Sequence, residues 1–347
     1  MKLLSFVIPT YNFGNFIGAT LDSILCEDDA FYEIVVFDGC STDNTEEILK
    51  SYVERHRSIK YVRSKVRANI DVDLNIAIQE ANGEYIWTLS ADDLLSPGWL
   101  GVVLSAIREK QSDIFLLPAI HCDFQMVPYR KYQILRRESQ SDVSVNINDS
   151  KEFINYLDSI RTSEGVFSFC SACLVKSSKI LSTESLDDAN GTCWRYAVRL
   201  IQAALTFPTS ITILGTFLVR KRGDNDSFSK DGVVRRMGIA VCQWTKAVKT
   251  LNIRHDIERA ILNLVHSDIS FLSLLYAGQF ASSPLERALY VNCVNQKYYG
   301  NDLASRFARK CLSMMPEFFV LRLTLSAAKR TVQGIRNSYY RRRLQLH

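Results

Sequence analysis

Two adjacent carboxylates, Asp92 and Asp93, end a stretch that reads Gly83-Glu84-Tyr85-Ile86-Trp87-Thr88-Leu89-Ser90-Ala91. Tyr85 to Leu89 is rich in β-branched and aromatic residues. It predicts a short buried strand, bounded by Gly83 before it and by Ser96-Pro97-Gly98 after it. In an α/β sheet, carboxylates at the carboxyl end of a strand lie where ligands bind. Hard oxygen donors there suit a hydrated Mg2+ or Mn2+ carrying phosphates. The same two residues could instead cap the helix that follows, since Asp is a favoured N-cap. Two upstream segments bear on the choice. Thr10-Tyr11-Asn12 follows one apolar run, and Asp38, Ser41 and Asp43 follow a second.

These side chains need a sheet to bring them together, and the pattern supplies one. Leu3 to Pro9 is continuously apolar, as expected of a strand covered on both faces. A helix is predicted over 15–25, a strand over 33–37, a capped helix from Ser41 onward, and a third strand over 59–62. From Asn69 to Ala81 the apolar residues Ile70, Leu74, Ala77, Ile78 and Ala81 share one helical face, which leaves Asp71 and Asn75 off it, four apart and able to point together at a cleft. After the Tyr85 strand come a helix over 97–109 and a strand over 113–120. Alternating strands and helices of this kind give an open, mostly parallel sheet with helices on both sides. Its carboxyl edge gathers a ring, an isolated Asp, hydroxyls and a carboxylate pair. Such a set can stack on a nucleobase, accept from a base or ribose, and hold a metal against a diphosphate. With no Walker motif and no GxGxxG, ordinary NTPase and dinucleotide sites are disfavoured.

Beyond residue 120 the rhythm loosens. Strands are predicted over 130–137, 166–175 and 211–219, helices over 155–161 and 193–205, and polar loops over 139–149, 184–192 and 220–227. From about residue 232 only helices are expected, ending in one over 316–340. The whole chain has 347 residues, 47% hydrophobic and 23% charged, which is the make-up of a soluble globular protein. Its net charge of +5 is uneven. Residues 1–100 hold 8 Lys/Arg and 16 Asp/Glu, a charge of −8, so the remainder carries +13. Residues 329–343 contain six Lys/Arg and no acid. A basic, aromatic, amphipathic terminus can lie on an anionic membrane leaflet, or it can be a docked helix with a basic tail. Nucleic acid is not an expected partner, because one short basic run stands without a DNA- or RNA-binding motif. The nine cysteines form no paired framework, so reduced thiols and a cytoplasmic location are expected. No signal peptide and no run near the ~18 apolar residues of a membrane span are visible.

Four motifs in order within residues 1–100 carry a family resemblance. Pro9-Thr10-Tyr11-Asn12, Asp38-Gly39-Cys40-Ser41-Thr42-Asp43-Asn44-Thr45, Ala81-Asn82-Gly83-Glu84-Tyr85-Ile86 and Ser90-Ala91-Asp92-Asp93 together resemble the family 2 glycosyltransferases, which have the GT-A fold. Trp87, Gly191-Thr192-Cys193-Trp194 and Asn225-Asp226-Ser227-Phe228-Ser229 further resemble bacterial O-antigen sugar transferases of the abequosyltransferase type. The resemblance implies a GT-A domain over 1–230, with a nucleotide-sugar half (1–120) and an acceptor half (121–230), followed by a helical region over 231–347 with a basic amphipathic tail. It implies a nucleotide-diphosphate sugar donor and an acceptor that is a lipid-linked or other oligosaccharide, met at the inner face of a membrane.

The resemblance also implies roles. Pro9, Thr10, Tyr11, Asn12, Asp38 and Ser41 would hold the nucleoside, with Asp38 on the base. Asp71 or Asn75 would border the diphosphate and sugar, beside Ser90, Ala91 and Asp93. Asp92, helped by Asp93, would ligate Mg2+ or Mn2+. The family commonly has an Asp where this chain has Ser90, and an Arg where it has Leu74. The phosphates then need another cation, and Arg220, Lys221, Arg222, Lys65 and Arg67 are the candidates. The general base would come from an acidic pair before a helix in the second half. Asp188 is the first choice, Asp187 the second and Glu184 the third. His121 is expected to be structural or superficial. A nucleotide-sugar-binding pseudoenzyme, or a scaffold of a polysaccharide assembly complex, is the alternative to an inverting transferase.

Overall fold

The computed structural model describes residues 2–183, 186–225, 232–300 and 302–313. The chain divides into two compact units, Met1–Gly223 and Asp224–His347.

The first unit alternates strands and helices through its first 110 residues: β1 (Leu4–Thr10), α1 (Gly14–Leu25), β2 (Tyr32–Asp38), α2 (Thr45–Arg55), β3 (Ile59–Arg63), α3 (Ile70–Gln79), β4 (Tyr85–Thr88), β5 (Leu94–Leu95) and α4 (Trp99–Lys110). It continues with β6 (Ile114–Leu116), β7 (Ala119–Cys122), β8 (Pro128–Tyr132), β9 (Val143–Ile147), α5 (Ser150–Ser159), β10 (Cys173–Lys176), α6 (Ser177–Leu181), α7 (Arg195–Thr206), β11 (Thr209–Ile213) and β12 (Val219–Arg222). An eight-stranded sheet has the order β3-β2-β1-β4-β10-β6-β11-β9, and a second sheet has the order β5-β12-β7-β8. Strands β3, β2, β1 and β4 are parallel, and β10 enters antiparallel between β4 and β6. The architecture is therefore mixed α/β with a mostly parallel central sheet.

Burial on both faces explains the apolar runs in β1 and β2, where Phe6 and Ile34 on one face and Val7 and Val35 on the other are inaccessible to solvent. Pro9 costs no bond on the β4 side, because pairing of β1 with β4 ends at Val7 opposite Thr88. An aromatic cluster of Phe6, Tyr32, Trp87 and Trp99 anchors the sheet to α4, with ring centroids 5.1–5.7 Å apart.

Several segments differ from the sequence expectation, among them the strand expected over 130–137, which ends at Tyr132 in β8. The predicted strand over 113–120 is broken at Leu117-Pro118, so β6 joins the large sheet and β7 the small one. Proline removes a ladder donor and restricts the residue before it, which favours a break there. The strand expected over 211–219 likewise divides into β11 and β12, and β12 takes in Arg220 to Arg222. In the stretch 166–175 only β10 is extended, preceded by 3-10 turns at Ser163–Val166 and Cys170–Ala172. The polar loop over 139–149 holds the edge strand β9, whose Val143, Val145 and Ile147 alternate with Ser144 and Asn146.

The second unit is helical: α8 (Val233–Gly238), a π-helical turn (Ile239–Gln243), α9 (Trp244–Lys249), α10 (His255–Asp268), α11 (Phe271–Gly278), α12 (Pro284–Lys297) and α13 (Leu303–Ser313). Val234, Leu274, Tyr290, Val294 and Leu312 form a core. Ser283 and Glu286 close a capping box at the start of α12. Among the described residues no single helix is long and apolar enough to cross a membrane. The expected helix over 316–340, the basic run over 329–343 and Glu184 lie outside the described residues.

One titration in this unit is testable. His266 is 4% exposed in α10. Burial first, and the Lys297 charge second, push its imidazole down to about 4. An unfolded His titrates near 6.5. Between those values the unfolded chain binds a proton that the folded chain refuses, so stability is lost as pH falls from about 6.5 to 4, by at most about 3 kcal/mol. Urea midpoints measured across that window should fall less steeply in His266→Phe than in the parent. Parallel pH profiles would contradict this.

Candidate active site

The edge of the sheet is built from loops that bind one another. Strands β1 and β2 run in register, with Thr10 opposite Asp38. Asn12 adopts a left-handed conformation (φ 58°). Its backbone N–H donates to Ser41 Oγ at 2.9 Å, and its Oδ1 accepts from the Thr42 N–H at 2.8 Å. Asp43 accepts from the Gly14 N–H and from Thr45. Asn12, Ser41 and Asp43 thus staple the first loop to the second.

Asp38 is fully buried at the centre of this frame. It accepts from the Ser41 N–H (2.8 Å) and the Tyr61 hydroxyl (3.0 Å), and Arg63 Nε lies 3.4 Å from Oδ2. Burial first, and the Asp38 charge second, raise the Tyr61 phenol above its ordinary range. Thr10 Oγ1 is buried without a hydrogen-bond partner among the described residues. Buried hydroxyls are normally paired, so this one is a candidate for ligand contact.

The Arg67 guanidinium covers the Tyr11 ring at 3.9 Å and is held by Asp73 at 2.8 Å. Asp73 is buried, and burial is the leading cause that raises its carboxyl, against the pull of Arg67. Gly39 admits this pair, since a Cβ there would meet Asp73 Oδ2 at 2.4 Å. Of the cations considered from sequence, Arg67 therefore reaches the Tyr11 ring at the end of β1. Asp73 escaped notice, and its spacing of six from Arg67 gave no helical or strand signal.

The two central aspartates diverge. Asp93 is turned inward, where its carboxylate accepts from Ser171 Oγ at 2.7 Å and from the Arg222 backbone N–H at 3.0 Å. Burial first, and the neighbouring Asp92 charge second, hold its carboxyl well above the usual carboxylate range. Asp92 engages Ser90, whose Oγ donates to Oδ1. The Ser90 N–H donates to Ser171 Oγ at 2.9 Å, and the carbonyls of Ala91 and Asp93 accept from Thr20. Neither aspartate is a helix N-cap, because α4 starts after the left-handed Gly98. Sequence separation hid Ser171, which lies 78 residues from the carboxylate it supports.

Asp71 and Asn75 do point together, but at α7. Asp71 accepts from the backbone N–H groups of Cys193 (2.8 Å) and Arg195 (3.2 Å). Asn75 accepts from Arg199 Nη1 at 2.8 Å. Asp71 is thus committed to holding the loop before α7. Burial is the largest influence on its carboxyl and raises it, while the backbone donors pull the other way. With Leu74, Ile78 and Tyr196 these residues line a cavity between α3 and α7. Arg195 and Arg199, an i,i+4 basic pair, are both buried. Arg195 Nη2 holds Asp187 Oδ1 at 3.0 Å, although the Asp187 side chain is 81% exposed. Asp188 is exposed on the same short turn.

Arg220 and Arg222 were expected on phosphate. Arg220 Nη2 instead donates to the Met126 carbonyl at 2.8 Å. Arg222 donates through Nε to the Asp92 carbonyl at 3.1 Å and through Nη1 to the Phe124 carbonyl, with its guanidinium 5.1 Å from the Phe16 ring. Both tie the hairpin between β7 and β8 to the carboxylate segment.

The sequence profile of Glycosyl transferase family 2 matches residues 5–173. Residues 5–173 are a family 2 glycosyltransferase domain. The chain containing this glycosyltransferase domain is 29% identical over 272 residues to the abequosyltransferase RfbV of Salmonella typhimurium, across 75% of this chain and 80% of that protein. Its structure is similar to S. aureus TarS 1–349 in complex with UDP-GlcNAc, with a TM-score of 0.61 and 15% identity over 95% of this chain and 92% of that one. It is also similar to the mannosyltransferase PcManGT from Pyrobaculum calidifontis, in complex with GDP-Man and Mn2+, with a TM-score of 0.50 and 14% identity over 95% and 86% of the two chains. The fold of the glycosyltransferase domain is GT-A.

Among the described residues no three His, Cys, Asp or Glu side chains converge into a metal cage. The donor set nonetheless fits Mg2+ or Mn2+ of the kind held chiefly by substrate phosphates, which takes only one or two protein carboxylates. Asp92, whose Oδ1 accepts from Ser90 Oγ, is the carboxylate that could hold it.

Proposed function

We propose that this chain is an inverting glycosyltransferase that moves a sugar from a nucleotide-diphosphate donor to a hydroxyl of a lipid-linked oligosaccharide destined for a surface polysaccharide. The observation that carries this reading is the convergence of Thr10, Tyr11, Asp38 and Asp92 on one carboxyl edge of a parallel sheet, within a family 2 domain. The name of one similar protein, an abequosyltransferase, supports sugar transfer as the reaction.

In this reading Asp38 and Thr10 orient the nucleoside and Tyr11, backed by Arg67, lies against it. The half over 1–120 of a domain spanning 1–230 holds the donor, and 121–230 shapes the acceptor side. Asp92 would hold Mg2+ or Mn2+, which when bound neutralises the charge that grows on the departing diphosphate. Asp93, buried and hydrogen-bonded to Ser171 and Arg222, fixes the direction of the Asp92 segment and leaves metal ligation to Asp92. Arg222 adds positive charge beside that segment.

Attack by the acceptor oxygen needs a base on the far side of the sugar. Asp188 takes that role, and Asp187, engaged by Arg195, holds the turn. Asp188→Asn is expected to cut transfer by on the order of 100-fold or more. Its affinity for a nucleoside diphosphate, measured by calorimetry, should be unchanged. Undiminished turnover would remove Asp188 from the mechanism.

The enzyme works, in this proposal, at the cytoplasmic face of the membrane, drawn there by the basic sequence over 329–347. Each Lys or Arg near an anionic surface contributes about 1 kcal/mol. Deleting residues 329–347 is expected to abolish co-sedimentation with phosphatidylglycerol vesicles while donor hydrolysis persists. Equal sedimentation of both forms would exclude the tail from membrane contact.

A further inference from the structure

Two thiols meet inside the helical unit. Cys242 lies in the π-helical turn Ile239–Gln243, and its Sγ is 3.3 Å from Cys293 Sγ in α12. Both cysteines are free, and 51 positions separate them in the chain. Bonded sulfurs stand about 2.05 Å apart, so a disulfide here needs only about 1.3 Å of further approach, within the reach of side-chain rotation.

Packing holds the two sulfurs toward each other. The π-helical turn continues α8 and leads directly into α9. Val241 and Trp244, on either side of Cys242, are inaccessible to solvent. In α12, Tyr290, Cys293 and Val294 are equally inaccessible, and Tyr290 and Val294 belong to the core of the unit. A buried cysteine by itself is a small apolar residue with a weak donor. A second sulfur within contact distance adds a chemistry that packing does not require.

The pair is asymmetric in the way that thiol oxidation needs. Cys242 is partly exposed, whereas Cys293 is buried. Contact with Cys293 is the first influence on the Cys242 thiol and lowers it, against burial. The same contact first, and burial second, raise the Cys293 thiol. Cys242 is therefore the sulfur that reaches an oxidant and carries thiolate character, and Cys293 is the protonated partner behind it. Oxidation-sensitive cysteines combine these features: access, thiolate character and a resolving thiol close by.

We propose that Cys242 and Cys293 are a reversible oxidation site, at which a peroxide closes a disulfide that locks the π-helical turn to α12. Cys242 sulfur attacks one peroxide oxygen, the O–O bond breaks, and water leaves a sulfenic acid behind. Cys293 sulfur then attacks Cys242 sulfur and displaces the hydroxyl, which departs as water with the Cys293 proton. Two thiols lose two electrons and two protons, and one hydrogen peroxide becomes two waters. A dithiol reverses the bond by exchange. The bond closes a loop that contains α9, α10 and α11, which restricts the unfolded chain and opposes local opening of these helices. This site lies outside the transferase reading and does not depend on it.

The test treats the reduced full chain with hydrogen peroxide until Cys26, an exposed thiol, is itself oxidised. The samples are alkylated in denaturant and mapped by mass spectrometry. A Cys242–Cys293 linked peptide should form before the Cys26 product, and dithiothreitol should return both thiols. Cys242→Ser and Cys293→Ala should each lose the linked peptide, and alanine suits a buried position that already packs as a small apolar residue. Hydrogen exchange compares oxidised with reduced parent, so it holds even where a variant folds poorly. Amides over 239–249 and 284–297 should exchange about 10-fold or more slowly in the oxidised parent, as expected of a cross-link that opposes opening. The proposal is overturned if both thiols remain free once Cys26 is oxidised, or if Cys242 ends as a sulfinic acid or bonded to another cysteine. Formation of the disulfide with unchanged exchange would overturn the lock.

Discussion

Asp92→Asn is expected to lower sugar transfer by on the order of 1,000-fold and to abolish the gain in nucleoside diphosphate affinity that Mn2+ confers. A carboxylate supplies a hard, charged ligand; a neutral amide supplies a weaker one, and stabilisation of the leaving diphosphate is worth several kcal/mol. The substitution conserves shape, and the Ser90 hydroxyl can still donate to the amide oxygen at this position. Removal of the Asp92 charge also relieves the second of the two influences that raise the Asp93 carboxyl. Thermal stability without metal should therefore hold or rise while activity collapses. Activity and Tm falling together would indicate a structural role for Asp92, and activity near the parent level would dismiss it as the metal ligand.

Trp87→Ala is expected to destabilise the first unit by about 4 kcal/mol, within the range for truncating a fully buried Trp. The indole is inaccessible, stacks on Phe6 at 5.2 Å and meets Trp99 edge-on at 5.7 Å. Its Nε1 donates to the Ser171 carbonyl at 3.0 Å, and Ser171 Oγ in turn binds Asp93. The loss therefore has two parts, a cavity in the core and a loosened support under the carboxylates. Trp87→Phe separates them. It retains most of the packing but leaves the Ser171 carbonyl without its donor, and should cost about 1–3 kcal/mol. Chemical denaturation at pH 7 measures both. A Trp87→Ala protein within 1 kcal/mol of the parent would show that the core does not depend on this side chain, contrary to the usual cost of such a cavity.

Much of the fold over residues 1–120 was legible because its information is local. The apolar runs of β1, β2 and β4 name buried parallel strands, and chemistry placed at their ends must converge once the strands are parallel. Asn69, expected as the first residue of the helix, caps α3 through its side chain just before the Ile70 periodicity begins. The stretch over residues 121–230 was harder to read. Its short strands are split between two sheets, and strand β9 sits in a stretch dominated by Ser, Asn and Asp. Assignment to one sheet or the other depends on partners far along the chain.

The side-chain roles show the same division. Asp38 is tied to Ser41 only three residues away, so its loop could be anticipated. Asp71 instead grips backbone donors 122 and 124 residues distant, and Asp93 takes a bond from Arg222 at a separation of 129. Sequence type allowed both aspartates to face substrate, while long-range pairing turns them into supports. Arg220 and Arg222 follow the same rule, since carbonyls of the neighbouring hairpin and of Asp92 engage groups that composition alone would send to phosphate.

The central claim is that the edge formed by Thr10, Tyr11, Asp38 and Asp92 binds a nucleoside diphosphate with a divalent cation. Isothermal calorimetry of the full chain against UDP, GDP, CDP and dTDP, each with and without Mn2+, tests it most directly. One diphosphate is expected to bind more tightly with Mn2+ than without, and the difference should vanish in Asp92→Asn. Binding of none of the four, with or without the metal, would contradict the account.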